Sequence, residues 1–236
     1  MENAIGYGTP HRKKHEQQEE WVGAWLDCYF YPYITKNFAR NTDTYTQKKG
    51  IDLTITGSTK IITVDEKAAV EWCNTGLNKS SLELSLMVID KQTGDKKEIN
   101  GWYLSNSIST HIALVWIDSA TTVSDRYLDG SGITQATITI IDKEYLQACL
   151  DDEGWTKTNL KKKAKRVRDA FDTYGNDYWK YENCGKLSNT CPHFFIQEKT
   201  KEHGVSIQFT QNWLVSVSDY AAIITKDKIT ELHRRN

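Results

Sequence analysis

Apolar residues recur at helical spacing at Val22, Trp25, Leu26 and Tyr29, and Glu16, Gln17, Gln18, Glu19 and Glu20 fill the turns before them. Residues three and four apart share one helix face, so the spacing predicts an amphipathic helix over about 11–29, stopped near Pro32. The period then changes to two. Ile51, Leu53 and Ile55 alternate with Asp52, Thr54 and Thr56, which predicts a half-buried strand. Gly57 and Ser58 turn it into a second strand over about 60–70. A third strand, with Leu82, Leu84, Leu86 and Val88 on one face, leads through the turn-prone Lys91-Gln92-Thr93-Gly94-Asp95 segment into a strand over about 98–104.

The run at 111–117 is apolar enough for an interior strand, 136–141 supplies another, and a basic segment over about 158–174 reads as a helix. Residues 205–209 resemble a strand, whereas 213–224 fit strand or helix equally. Helix, then antiparallel-looking strands, then helix describes an α+β (mixed α/β) fold with a central mixed β-sheet flanked by helices. There is no internal repeat and no Gly/Ser- or Pro-rich linker, so one domain over 1–236 is expected, with a core at about 11–118 and a C-terminal elaboration at about 119–236.

Composition narrows the class. No apolar run approaches the roughly 20 residues of a membrane helix, and 1–20 is polar without the apolar centre of a signal peptide, so no membrane partner and a cytoplasmic address are expected. Five cysteines, an odd number spread along the chain, favour reduced thiols over a disulfide framework. A formal net charge of −1 does not advertise nucleic acid, but Lys157, Lys161, Lys162, Lys163, Lys165, Arg166 and Arg168 crowd one stretch whose helical form would display them to solvent or to a phosphate backbone.

The chemistry concentrates on the second strand. Asp65 and Lys67 are two residues apart and leave the same face, while Glu66 leaves the other. Asp52 lies on the polar side of the preceding strand, and hairpin pairing would bring it to Asp65. Two carboxylates converging with a lysine suit metal-assisted phosphodiester cleavage: the acids hold Mg²⁺, with Mn²⁺ as a possible substitute, and the lysine positions or helps deprotonate the attacking water and offsets charge building on the phosphate. An isolated Asp-x-Lys is common, and its ordinary explanation is a solvated strand face with a weak ion pair. Here Ile61, Ile62 and Val64 precede the motif and Ala68, Ala69 and Val70 follow it, and charges inside so apolar a strand are costly unless compensated.

Gln47-Lys48-Lys49-Gly50-Ile51-Asp52, followed by Ile62-Thr63-Val64-Asp65-Glu66-Lys67, resembles the PD-(D/E)xK nuclease superfamily, and the resemblance extends to Leu82-Glu83-Leu84-Ser85 and Gly101-Trp102-Tyr103. It covers roughly 16–117. It implies a restriction-endonuclease-like core, Asp52 and Asp65 as metal ligands with the Glu66 main-chain carbonyl as a further one, and Lys67 as the catalytic lysine. The proline of the superfamily's name is replaced by Ile51. Family members often add an acid from the first helix, for which Glu19 is a better candidate than Glu16 or Glu20; Gln47 and Glu83 are secondary candidates. The implied activity is a Mg²⁺-dependent endonuclease acting on DNA in restriction or genome defence, with a homodimer as one arrangement.

Two other readings compete. A module of the same fold could bind nucleic acid without cleaving it, although such a chain would have little reason to keep Asp52, Asp65 and Lys67 together. Cys184, Cys191 and His193, with His203 beyond, could hold a structural Zn²⁺ in an interaction module, but their spacing fits no standard knuckle and ordinary thiols with a surface histidine are favoured. Cys28, Cys73 and Cys149 read as small buried hydrophobes. His111, heading an apolar strand, reads as a hydrogen-bonded structural residue. Among the aromatics, Trp179 and Tyr181 beside Lys180 are the pair best placed to stack on bases, Trp102 and Tyr103 less so, and core or rim packing is the usual use of such rings.

Overall fold

The computed structural model describes residues 10–57, 60–70, 73–76, 78–90, 93–105, 107–120, 132–197 and 203–235. The turn residues Ser58, Lys91 and Gln92 and the side chain of Glu16 lie outside the described residues. The fold is mixed α/β with two sheets, and the chain divides into two compact units. One draws on residues 6–78, 108–146 and 215–236, the other on 79–107 and 147–214.

The first unit holds a seven-stranded sheet in the order β1-β2-β3-β6-β7-β10-β11. Its strands are β1 (Phe38–Arg40), β2 (Leu53–Thr56), β3 (Ile61–Ala68), β6 (His111–Ser119), β7 (Ile133–Asp142), β10 (Tyr220–Thr225) and β11 (Ile229–Arg234). Strands β2 and β3 form the expected antiparallel hairpin, but β3 then pairs with β6 in parallel. Reciprocal hydrogen bonds start that pair: Thr63 N–H donates to Thr110 Oγ1 and Thr110 N–H to Thr63 Oγ1, each at 3.0 Å. Seven successive residues of β6, His111 to Ile117, are buried, as an interior strand requires.

Helix α1 (Pro10–Tyr29) and the short α2 (Tyr31–Ile34) belong to the same unit. Val22, Trp25, Leu26, Phe30 and Tyr31 join Leu53, Val64, Ala113, Val115 and Ile138 in one apolar cluster. Each such side chain contributes roughly 1.5–3 kcal/mol on full burial, so the stripe read from the sequence holds α1 to the sheet. Of the three cysteines expected to be buried, Cys73 and Cys149 are only half-buried and Cys28 is not buried at all. It is exposed because it shares the outward face with Ala24.

The second unit holds the antiparallel sheet β5-β4-β9-β8, from β4 (Lys79–Ile89), β5 (Lys96–Asn100), β8 (His193–Ile196) and β9 (Val205–Thr210). The strand expected over 98–104 ends at Asn100. A Cβ at Gly101 would lie 2.5 Å from the Glu83 carbonyl oxygen, and there the chain folds into a turn closed by Ser105 N–H donating to Gly101 O at 2.9 Å. Helix α5 (Lys157–Tyr174) packs on β4, β8 and β9 through Leu160, Ala164 and Val167. The same stripe carries two residues of the basic run, so the expectation that all seven are displayed fails for Lys163 and Arg168. Both are buried: Lys163 donates to Glu182 and Asn183 O, and Arg168 sits 3.7 Å from Glu98.

Two local surprises have simple causes. Helix α4 (Lys143–Asp152) follows β7 without a loop, because Asp142 ends the strand and also caps the helix, accepting from Glu144 N–H at 2.8 Å and Tyr145 N–H at 3.1 Å. The ambiguous 213–224 segment is both things in turn, α6 (Gln211–Ser216) and then β10. Among the described residues no helix is long and apolar enough to cross a membrane.

Candidate active site

The segment Gln47-Lys48-Lys49-Gly50-Ile51-Asp52 owes its shape to one short helix, α3 (Thr44–Lys48). Asp43 caps it by accepting from Thr46 N–H at 2.8 Å, and Gly50 ends it in the left-handed region at φ 71°, donating to Gln47 O at 2.9 Å. A glycine is needed at that φ because a Cβ is strained there. The reversal buries Ile51 and delivers Asp52 to the head of β2.

Leu53 pairs with Val64, and the preceding Asp52 N–H also donates to Val64 O at 2.9 Å, which sets Asp52 beside the start of Asp65-Glu66. Asp52 Oδ2 accepts from Glu66 N–H at 2.8 Å, which ties its carboxylate across the hairpin. In a strand the N–H and C=O of one residue leave the same edge, so the Glu66 carbonyl faces the Asp52 side as well. Asp65 and Lys67 share a face, as their spacing requires, and Lys67 Nζ lies 2.5 Å from Asp65 Oδ1. The Asp65 side chain is only 3% exposed against 36% for Lys67. Its buried Oδ1 makes that ion pair but no aligned hydrogen bond among the described residues.

Charge is poorly balanced here. Burial pushes the Asp52 carboxyl up to about 6, against the attraction of Lys67 and with added repulsion from Asp65. Burial also opposes the charge on Lys67, but the fields of Asp65 and Asp52, and more weakly of Glu19, hold its ammonium well above the ordinary lysine range. Glu19, exposed on α1, is thus within electrostatic reach of the lysine.

The opposite face of β3 is fully paired. Glu66 accepts from Tyr31 Oη at 2.5 Å and from Arg40 Nη1. Arg40 in turn grips Asp27 of α1 with Nε and Nη2, at 2.8 and 2.7 Å. Arg40 lies so close to the helix that a Cβ at Gly23 would come within 2.9 Å of it. Burial and the Glu66 carboxylate raise the Tyr31 phenol well above its usual value, so it stays a hydrogen-bond donor. Sequence spacing offered no signal for this network, which joins α1, α2, β1 and β3.

No known protein family, curated protein or solved structure matches the chain. The site must therefore be argued from its own residues.

Gln47 lies exposed on α3 and donates to Asn41 O at 3.2 Å. Glu83 is on β4, in the four-stranded sheet of the second unit. Cys184 is buried, Cys191 is exposed, and His193 Nδ1 is 3.0 Å from Gly185 O. Among the described residues no set of three or more His, Cys, Asp or Glu side chains is grouped to hold a metal ion. His111 is buried, with Nδ1 2.8 Å from Thr110 Oγ1 and Nε2 3.7 Å from Asp219. Burial lowers its pKa, although Asp219 and Asp142 pull the other way.

Asp52, Asp65 and the Glu66 carbonyl form a set of oxygen donors, two side chains and one main-chain group. Hard divalent cations such as Mg²⁺ take few protein oxygens and keep several waters, so a set of this size fits. The buried, under-bonded Asp65 Oδ1 and the suppressed ionisation of Asp52 are what a site needing a further positive charge would show.

Proposed function

We propose that the protein is a metal-dependent phosphodiester hydrolase, a nuclease of PD-(D/E)xK type acting on DNA. The observation that supports this best is the convergence of Asp52, Asp65 and Lys67 at the β2–β3 hairpin, with two acids and one lysine sharing an insufficiently neutralised pocket of charge. A restriction or genome-defence role and the cytoplasmic address belong to the same proposal.

Asp52 and Asp65 would hold the cation, with the Glu66 carbonyl completing the protein's share. When bound, a divalent ion supplies Lewis acidity toward the phosphate and a lowered pKa for coordinated water. Lys67 carries a persistent positive charge next to Asp65, so it orients the scissile phosphate and stabilises negative charge as the leaving oxygen departs. Its raised pKa makes it a poor base at neutral pH, which assigns it charge stabilisation and water positioning. Glu66 N–H fixes Asp52, and the Tyr31–Glu66–Arg40 network on the other face fixes Glu66.

The test is incubation of purified protein with plasmid DNA and with RNA, in Mg²⁺, Mn²⁺ or EDTA, alongside Asp65→Ala and Lys67→Ala. Cleavage of DNA that needs the metal and disappears in both folded variants is expected. Cleavage in EDTA, or full activity in either variant, would remove these residues from the site.

A further inference from the structure

The second unit presents an aromatic surface that nothing in the hydrolytic site uses. Helix α5 ends at Tyr174, where Gly175, at φ 57°, reverses the chain and donates to Phe171 O. The chain continues as a 3-10 helix, Gly175–Lys180. That helix is anchored from below: Tyr178 is buried, its ring edge-on to Phe171 at 5.8 Å, and its hydroxyl accepts from Ile196 N–H at 3.2 Å. With Tyr178 turned inward, the residues around it turn out. Trp179 is 58% exposed, Tyr181 62% and Tyr174 46%. Three large rings this open to water on one short segment are costly unless they have a partner.

Their geometry is that of a stacking surface. Tyr174 and Tyr181 lie face to face, centroids 3.7 Å apart and planes within 15°. Lys180 Nζ sits 5.4 Å from the centroid of the Trp179 ring. A stacked pair and a cation-backed indole offer flat π-faces of the kind on which unstacked bases settle.

The charge around them selects the occupant. Residues 157–182 carry eight lysines and arginines against four acids. Three of those acids are neutralised locally, Asp169 by Lys165 at 3.0 Å, Asp177 by Lys180 at 2.8 Å, and Glu182 by Lys163 with Arg166 at 3.6 Å. Lys157, Lys161 and Lys162 are exposed on the first half of α5 and have no ion-pair partner among the described residues, about 18–26 Å along the helix from Tyr174. Bare aromatic faces at one end of a helix and unpaired cations toward the other suit an extended polyanion long enough to reach both, with bases free to leave their stack, which is a single strand.

We propose that Tyr174, Trp179 and Tyr181 form a stacking platform for unpaired nucleobases, so that the protein engages a single-stranded or locally opened segment of its nucleic acid. This rests on the reading of the chain as a nucleic-acid-processing protein, but not on cleavage itself.

The experiment is fluorescence anisotropy with a labelled oligo-dT of about 15 nucleotides, enough for such a platform, and with a duplex of equal length, in EDTA so that no hydrolysis intervenes. Wild type, Trp179→Ala/Tyr181→Ala and Trp179→Phe/Tyr181→Phe are compared, with melting temperatures to show that each is folded. The expected pattern is single-strand binding weakened about tenfold or more in the double alanine variant. Binding should be retained with both phenylalanines, with duplex affinity unaffected throughout. Equal single-strand affinity in wild type and the double alanine variant would overturn the platform, as would no binding by wild type. Concentration-dependent self-association that the alanines abolish, with oligonucleotide binding untouched, would assign the surface to a second copy of the chain instead. Platform binding without metal-dependent cleavage would sink the hydrolase reading alone.

Discussion

Asp65 and Glu66 are chain neighbours whose carboxylates leave β3 on opposite faces, and the two faces treat a charge in an apolar strand differently. Around Glu66 every group has a matched partner: Tyr31 and Arg40 donate to it, and Asp27 takes the rest of the guanidinium. On the other face Asp52 and Asp65 share Lys67, and burial, against the pull of Lys67 and with the repulsion of Asp65, raises the Asp52 carboxyl to about 6. A satisfied network rigidifies, whereas two acids held against one lysine leave room for a ligand. On the function proposed above, that room would be taken by a divalent cation.

The strongest way to break the comparison is by activity. Asp65→Ala and Lys67→Ala should each lower the cleavage rate by at least about 10²-fold, the scale on which loss of one charge-stabilising group is felt; Lys67→Ala leaves the buried Asp65 carboxylate uncompensated and should also lower the melting temperature, while Asp65→Ala, which relieves the repulsion on Asp52, should leave it little changed or raise it. Glu66→Ala should do the reverse of Asp65→Ala in stability. It takes away one of the two carboxylates that hold Arg40 and the acceptor of the buried Tyr31 hydroxyl, and should lower unfolding free energy by about 1–3 kcal/mol, measured by urea titration. If Asp65→Ala instead destabilises the fold as much as Glu66→Ala, both faces are structural and the distinction fails.

A milder test is pH. The folded Asp52 carboxyl, raised to about 6, lies above its unfolded value near 3.8, so the folded state favours the protonated acid. Its stabilising contribution is therefore fully present below about pH 4 and is lost as pH rises through 6, by up to about 3 kcal/mol. Asp52→Asn locks in the neutral form and should flatten that part of the stability curve in EDTA. Millimolar Mg²⁺ should recover the lost stability in wild type but not in Asp52→Asn. A curve unchanged by the substitution would show that Asp52 is not under this strain.

Much of this was legible in local pattern. Strand parity separated Asp65 from Glu66, and a short hairpin gave the approach of Asp52 to Asp65, because both depend only on residues a few positions apart. What escaped depends on distance in the chain. Nothing near β3 announces that its next neighbour is β6, parallel to it and some forty residues on, or that β4 and β5 leave for another sheet. Arg40 on the three-residue β1 and Asp27 on α1 carry no periodic signal for the network they complete. The inward turn of Lys163 and Arg168, by contrast, could have been found, since both fall on the stripe of Leu160, Ala164 and Val167.

The smallest effect expected is at Glu19, and it decides whether the candidate site includes α1. Glu19 is exposed, and it is the weakest of the three carboxylates that hold Lys67 in its charged form. A group acting only through its field across solvent should be screened by salt, since the Debye length falls from about 10 Å at 0.1 M to about 3 Å at 1 M. Glu19→Gln should then slow cleavage by less than about tenfold at low salt, and the gap from wild type should close at high salt. A direct metal ligand would behave otherwise, costing on the order of 10²-fold at either ionic strength and weakening Mg²⁺ dependence. Single-turnover cleavage by the two proteins across Mg²⁺ and salt separates the cases. A large, salt-independent loss would move Glu19 into the cation's oxygen shell, extending the under-neutralised face of β3 onto the first helix.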